Sequence, residues 1–184
     1  ILFFFCRAVV AQKQRTIYSI LTEIKRTKTD SIRVKNLNLL AVSYLKVDST
    51  KGFQYSRKAL QISKKINWKE GIASSNYSIG AHYGENLVFD KAFYHYNQAI
   101  RHTNDKHLLS SVNAALGQSY LIQSNYTKAL EHFHISLKLC ETTKNNRGEI
   151  MALTYIGSLY SGLREDKKAL SYYLRGLDLS KKSN

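Results

Sequence analysis

Four positions recur along this chain at fixed offsets, and no other feature of the sequence restricts its fold as strongly. In GQSYLIQSNYTKALEHF, residues 117–133, Gly117 is followed by Tyr120, Ala129 and Phe133 at offsets of 3, 12 and 16. The stretch GAHYGENLVFDKAFYHY repeats the pattern with Gly80, Tyr83, Ala92 and Tyr96, and GSLYSGLREDKKALSYY repeats it with Gly157, Tyr160, Ala169 and Tyr173. A weaker copy begins at Ala41 and keeps Tyr44. Its second half, ending in Ala59-Leu60, runs one residue early. Successive copies are 39, 37 and 40 residues apart. A period in this range marks stacked units, none of which can bury its apolar face alone.

With no proline and only 9 glycines in 184 residues, the chain lacks the strongest helix breakers. In the third copy Leu116, Tyr120, Ala129, Phe133, Leu137 and Cys140 form an apolar stripe at helical spacing on either side of the polar turn QSNY. The same reading predicts helices over 13–28, 32–46, 50–66, 70–84, 89–103, 108–123, 126–142, 147–162 and 166–182. Asp30-Ser31 and Asp90 are expected to cap helices, while Asn125-Tyr126 and Asp166 fall where the chain reverses. The small residues Ala41, Gly80, Gly117 and Gly157 let a first helix approach the alanine of the second. The aromatic residues are expected to fill the space between neighbouring pairs. The expected fold is all-α, a right-handed superhelix or solenoid of about four helix pairs with repeats over 32–68, 70–106, 108–145 and 147–184. It follows a basic helix over 12–30, and no linker interrupts the array over 31–184.

Net charge is +15, which places nucleic acid, anionic lipid and acidic proteins among the expected partners. The charge is concentrated at the amino-terminal end, where residues 1–70 hold 15 Lys and Arg against 4 Asp and Glu. Arg15, Lys25, Arg26, Lys28, Arg33 and Lys35, with Arg57, Lys58, Lys64 and Lys65, are the candidate polyanion contacts. The bland alternative is a solvated basic face. Residues 1–11 read as the end of a secretory signal, with Val9 and Ala11 before a cut at Gln12, or else as a buried amino-terminal helix. The first reading places the remainder outside the cytoplasm, the second inside it. Cys6 does not sit in a lipoprotein box, and after such a cut Cys140 would be the one remaining cysteine.

The small residue, tyrosine, alanine and aromatic at the eighth, eleventh, twentieth and twenty-fourth positions resemble the tetratricopeptide repeat. Copies two to four match all four positions. Position four, often large and apolar in that family, holds Leu37, Asn76, Asn113 and Leu153, and the closing proline of the family is missing. Copies longer than the family's usual repeat imply a longer second helix or connector. The layout DSIRVKNLNLLAVSYL after a basic helix is similar to the repeat-containing sensor regions of bacterial membrane-bound histidine kinases and related helix-turn-helix regulators. That resemblance implies signalling, and membrane attachment only through flanking segments.

A catalytic or metal site is not expected, and neither is a cofactor. There is no HExxH, nucleophile elbow or phosphate-binding glycine loop. His132 and His134 diverge by about 200° on a helix. His95 and His102 share a face but lack further ligands, so packed or surface histidines are expected instead. Cys140 reads as a buried small hydrophobe. Tyr44, Tyr83, Tyr120 and Tyr160, which resemble base-stacking platforms, read as core because they recur at one repeat position.

The tetratricopeptide resemblance implies a concave groove lined by positions two, five, nine and twelve of the first helices. The residues matching the first three are Lys35, Asn38 and Val42, then Ser74, Tyr77 and Ala81, then Ser111, Ala114 and Gln118, and lastly Met151, Thr154 and Ser158. Position twelve adds Leu45, Gly84, Leu121 and Ser161. This lining suits a peptide or protein partner, with Asn38, Gln118 and Thr154 hydrogen bonding and Tyr77 stacking. The alternatives are a loosely lined groove or one filled by the chain's own amino-terminal helix. Asn38 and Val42 occupy the first two positions of the carboxylate clamp of chaperone-binding members, which disfavours that partner. The leading expectation is therefore a non-enzymatic interaction scaffold, the sensor part of a bacterial signalling protein, able to form homodimers. The alternative is a module binding nucleic acid or another polyanion without sequence preference.

Overall fold

The computed structural model describes residues 2–45 and 47–183, with their side chains from Gln14 onward. The described residues form nine α-helices and no strand: α1 (Leu2–Arg26), α2 (Asp30–Tyr44), α3 (Ser49–Lys65), α4 (Lys69–Glu85), α5 (Phe89–Arg101), α6 (Lys106–Ile122), α7 (Tyr126–Thr142), α8 (Asn146–Gly162) and α9 (Asp166–Lys182). The all-α helical-hairpin fold read from the repeat is the one observed. The first helix differs, since it starts at Leu2 rather than near residue 13. Ile1 and the side chains of Cys6, Val9, Ala11 and Gln12, on which the signal-peptide expectation rests, lie outside the described residues. Among the described residues no helix is long and apolar enough to cross a membrane.

The chain divides into two compact units, one ending at His102 and one beginning at Thr103. In the first, α1 packs on α2, α2 pairs with α3, α3 packs on α4, α4 pairs with α5, and α2 lies beside α4. Ile17 and Ile20 of α1 meet Leu40, with Tyr44 and Tyr55 against them. In the second unit α6 pairs with α7 and α8 with α9, while α7 packs on α8. Its core joins Ala129, Phe133 and Leu137 to Ala152, Leu153 and Ile156.

The helix ends explain the variable period. α7 is longer than α5, 17 residues against 13, and the loop after α5 is one residue longer than the loop after α7, which together give the difference between the 40- and 37-residue steps. A left-handed residue follows most of the helices: Asn67, Leu87, Ser124, Lys144 and Arg164 have φ of 51–59°. At each, the next backbone N–H reaches five residues back, as in Asn125 to Tyr120 O at 2.9 Å and Asn145 to Cys140 O at 2.9 Å. This closure satisfies the last carbonyls of the helix and reverses the chain without proline. Asp48, Asn125 and Asn145 accept backbone N–H groups three residues on, at 3.0–3.2 Å, and so cap α3, α7 and α8. Asp30 and Asp90, expected as caps, instead lie inside the first turns of α2 and α5. A carboxylate there favours the helix dipole without capping.

Candidate functional site

The repeated aromatic positions are internal fittings of each hairpin. A Cβ added to Gly80, Gly117 or Gly157 would lie 2.5–2.7 Å from a ring carbon of Tyr96, Phe133 or Tyr173 on the second helix of the same pair. The expectation that the aromatics sit between neighbouring pairs is therefore corrected. Phe133 does both, since its ring also stacks on Tyr155 of α8 at 5.3 Å. First-helix tyrosines stack on the second helix of their own hairpin: Tyr83 on His95 at 5.6 Å, Tyr120 on His132 at 5.4 Å, Tyr160 on Tyr172 at 5.7 Å. Tyr44 stacks on Tyr55 at 5.6 Å, one residue early as the sequence register requires. Lys51, Lys91, Lys128 and Lys168 place their ammonium groups 5.1–5.8 Å from the ring centroids of these tyrosines. Part of the positive charge is thus cation–π packing.

The asparagines at position four belong to this arrangement. Asn76 Nδ2 donates to Ile72 O at 2.8 Å, which turns its Oδ1 toward His95 Nδ1 at 2.9 Å. Asn113 repeats the geometry with Leu109 O at 2.8 Å and His132 Nδ1 at 2.9 Å. Each histidine therefore donates through Nδ1–H. Burial pushes the pKa of both below the ordinary imidazole value. The Lys64 charge adds to this at His95; at His132 Lys128 adds and Glu131 opposes. Among the described residues no group of three His, Cys, Asp or Glu is placed to hold a metal. Cys140 is buried, as its place on the apolar stripe implied.

The groove residues of the first unit come together on α2 and α4. Val42 is 54% exposed and Leu39, absent from the groove positions, 55% exposed on the same helix. Asn38 is not a free hydrogen-bonding group as the sequence reading had it. It is 8% exposed, and its Nδ2 donates to Ser74 Oγ at 3.0 Å and Ser75 Oγ at 3.1 Å, tying α2 to α4. Its Oδ1 is buried without a hydrogen-bond partner. Lys35 is exposed, with its ammonium 5.9 Å from the Trp68 ring, and Tyr77 is half-buried with its ring 6.3 Å from that of Tyr96. Ala81 is half-buried beside them on α4.

In the second unit Ser111, Ala114 and Met151 line one small hollow with Ser110, Ser136 and Gly148. Met151 is 45% exposed. Ser111 Oγ donates to His107 O at 3.0 Å and Thr154 Oγ1 to Ile150 O at 2.8 Å, so both hydroxyl protons serve their own helices. Ser158 Oγ accepts from Tyr173 OH at 3.1 Å, and Gln118 is half-buried on α6.

The basic residues divide. Arg33 is bound by Asp30 at 2.6 Å and by Thr27 O at 3.0 Å. Arg57, Lys58 and Lys64 instead line a cleft of the first unit, formed by α3 with Ile79 and Tyr83 of α4 and His95 of α5. Sequence reasoning had located the charge but not the enclosing Phe53, Gln54 and Gln61.

Residues 108–182 match the model of the tetratricopeptide repeat family. Over these residues the chain carries tetratricopeptide repeats, a fold whose arrays are protein-interaction modules. No curated protein matches it in sequence. Among solved structures it is similar to BtubC (BKLC) from P. vanneervenii, with a TM-score of 0.73 and 15% identity over 97% of this chain and 77% of that one. It is also similar to MamA, with a TM-score of 0.61 and 17% identity over 96% of this chain and 94% of that one. At these identities the likeness is one of fold.

Proposed function

We propose that this protein is a non-enzymatic scaffold that binds a peptide or protein segment along the first helices of its hairpins, as the sensor part of a bacterial signalling protein. The observation that carries the binding reading is on α2 and α4. There Leu39 and Val42 are exposed beside Asn38, whose amide ties α2 to α4. An apolar pair exposed on a face held rigid by this tie offers the side chains of a bound segment a surface to cover. The non-enzymatic reading is supported by the histidines, whose Nδ1 atoms are committed to Asn76 and Asn113.

A peptide-display selection on the full chain tests this, followed by titration of the selected peptides against Val42→Asp and Tyr77→Ala. Weakening of about tenfold or more with unchanged helicity supports the surface, since burying one charge or removing one anchor costs this much. Selected peptides that bind both variants as well as wild type would remove it. The sensor reading predicts that such a peptide changes the association state of the chain in sedimentation. A constant state would count against it.

A further inference from the structure

The cleft along α3 is a second surface, separate from the α2–α4 face. Gln54, Arg57, Lys58, Gln61 and Lys64 fall at helical spacing on one side of α3. From the first to the last they span about 15 Å of helix. The cleft encloses about 980 Å³, and no carboxylate lines it. Among the described residues none of its three cationic side chains forms a salt bridge. Leu60 and Ile79 supply an apolar component, and the two glutamines supply carboxamides able to pair with backbone amides.

We infer that this cleft binds a short acidic peptide segment of a partner protein, with Arg57, Lys58 and Lys64 receiving its carboxylates. An extended segment of about five residues matches the 15 Å row, at roughly 3.3 Å per residue. Arg57 offers a planar fork to a carboxylate and the lysines offer point charges. The aromatic residues argue for peptide over single-stranded nucleic acid, because base binding needs open ring faces. Tyr83 is stacked by His95 at 5.6 Å and approached by Lys91 at 5.4 Å. Phe53 is stacked on His82 at 4.5 Å and approached by Arg57 at 5.8 Å.

The test is fluorescence anisotropy on the full chain with a labelled glutamate–leucine peptide, its lysine-for-glutamate counterpart, and a single-stranded oligonucleotide of equal charge. Arg57→Gln/Lys64→Gln alters exposed side chains only, and Lys25→Gln/Lys28→Gln removes the same charge elsewhere. The acidic peptide is expected to bind, to lose about tenfold or more in affinity in the first variant, and to stay within about twofold in the second. Added salt weakens it, and the lysine peptide does not bind. Equal loss in both variants would reduce the effect to net charge. Tighter oligonucleotide binding that disappears in the first variant would make this a nucleic-acid site, and no peptide binding would end the inference. Tyr77→Ala leaves this titration unchanged, so failure here and failure of the α2–α4 reading are distinguishable.

Discussion

In the first unit α3 carries Lys64 and α5 carries Gln98; 77 residues later, at the equivalent places in the second unit, α7 carries Glu141 and α9 carries Arg175. Arg175 pairs with Glu141, and with Glu149 of α8 at 3.1 Å, so cation and carboxylates bridge three helices there. In the first unit the corresponding place belongs to the basic cleft. Both units nevertheless share their interior. Each contains one hairpin with an Asn–His pair and one with a leucine and a tyrosine at the same two positions, Leu37 with Tyr55 and Leu153 with Tyr172. The hairpin interior is thus a common framework with two interchangeable solutions, and the units diverge in the charge they present outside.

The largest effects should follow from breaking the shared interior. In Gly117→Ala the new Cβ would meet Phe133, which is 0% exposed and held by Tyr155, so the change should cost about 1–3 kcal/mol in urea unfolding. Gly157→Ala meets Tyr173, which is 39% exposed and held by an exposed hydrogen bond to Ser158 rather than by packing over its ring, so it should stay within about 0.5 kcal/mol of wild type, the added helix propensity offsetting the contact. Next comes Asn113→Leu, which leaves the His132 Nδ1–H without its acceptor and should cost about 1–2 kcal/mol. Adding His132→Tyr recreates the fourth hairpin's combination and should recover most of the loss. A double variant no more stable than the single one would break the claim of interchangeability.

Smaller effects should follow from protonation. The folded pKa values of His82, His95 and His132 lie below the ordinary 6.5, chiefly through burial. Between each folded value and 6.5 the unfolded chain therefore binds more protons. Stability should be full above about pH 6.5 and fall as pH drops through the folded values. Urea midpoints from pH 8 to 5 measure this, and Asn113→Leu/His132→Tyr should flatten part of the decline. A comparably small effect belongs to Arg175→Gln, about 0.5 kcal/mol, because Arg175 and Glu141 are solvent-exposed and Glu149 alone of the three is largely covered.

The boundaries of α2 to α9 were legible because Gly, Tyr, Ala and aromatic recur at spacings that only a packed hairpin requires, whereas the start of α1, which lies outside the repeat, was not. In the sequence alone Asn76 and Asn113 are departures from an apolar position. Their meaning lies 19 residues downstream, where histidine accompanies asparagine and tyrosine accompanies leucine. That linked change was visible in the sequence, yet its cause is a hydrogen bond that only the folded hairpin creates. The repeat resemblance implies that Asn38 faces inward as a binding group, whereas the serines of α4 that engage its amide are a tertiary contact. The basic cleft shows the same limit, since charge could be counted but its division into bound Arg33 and cleft-lining Arg57 and Lys64 depends on packing.

The central claim is that a shared interior carries the fold while the differing outer charges carry binding. Transferring the second unit's charges into the first, Lys64→Glu with Gln98→Arg, tests it most directly when the acidic peptide is titrated against the full chain. Unchanged urea stability with loss of peptide binding is the predicted result. Undiminished peptide binding in this variant, with stability retained, would contradict it.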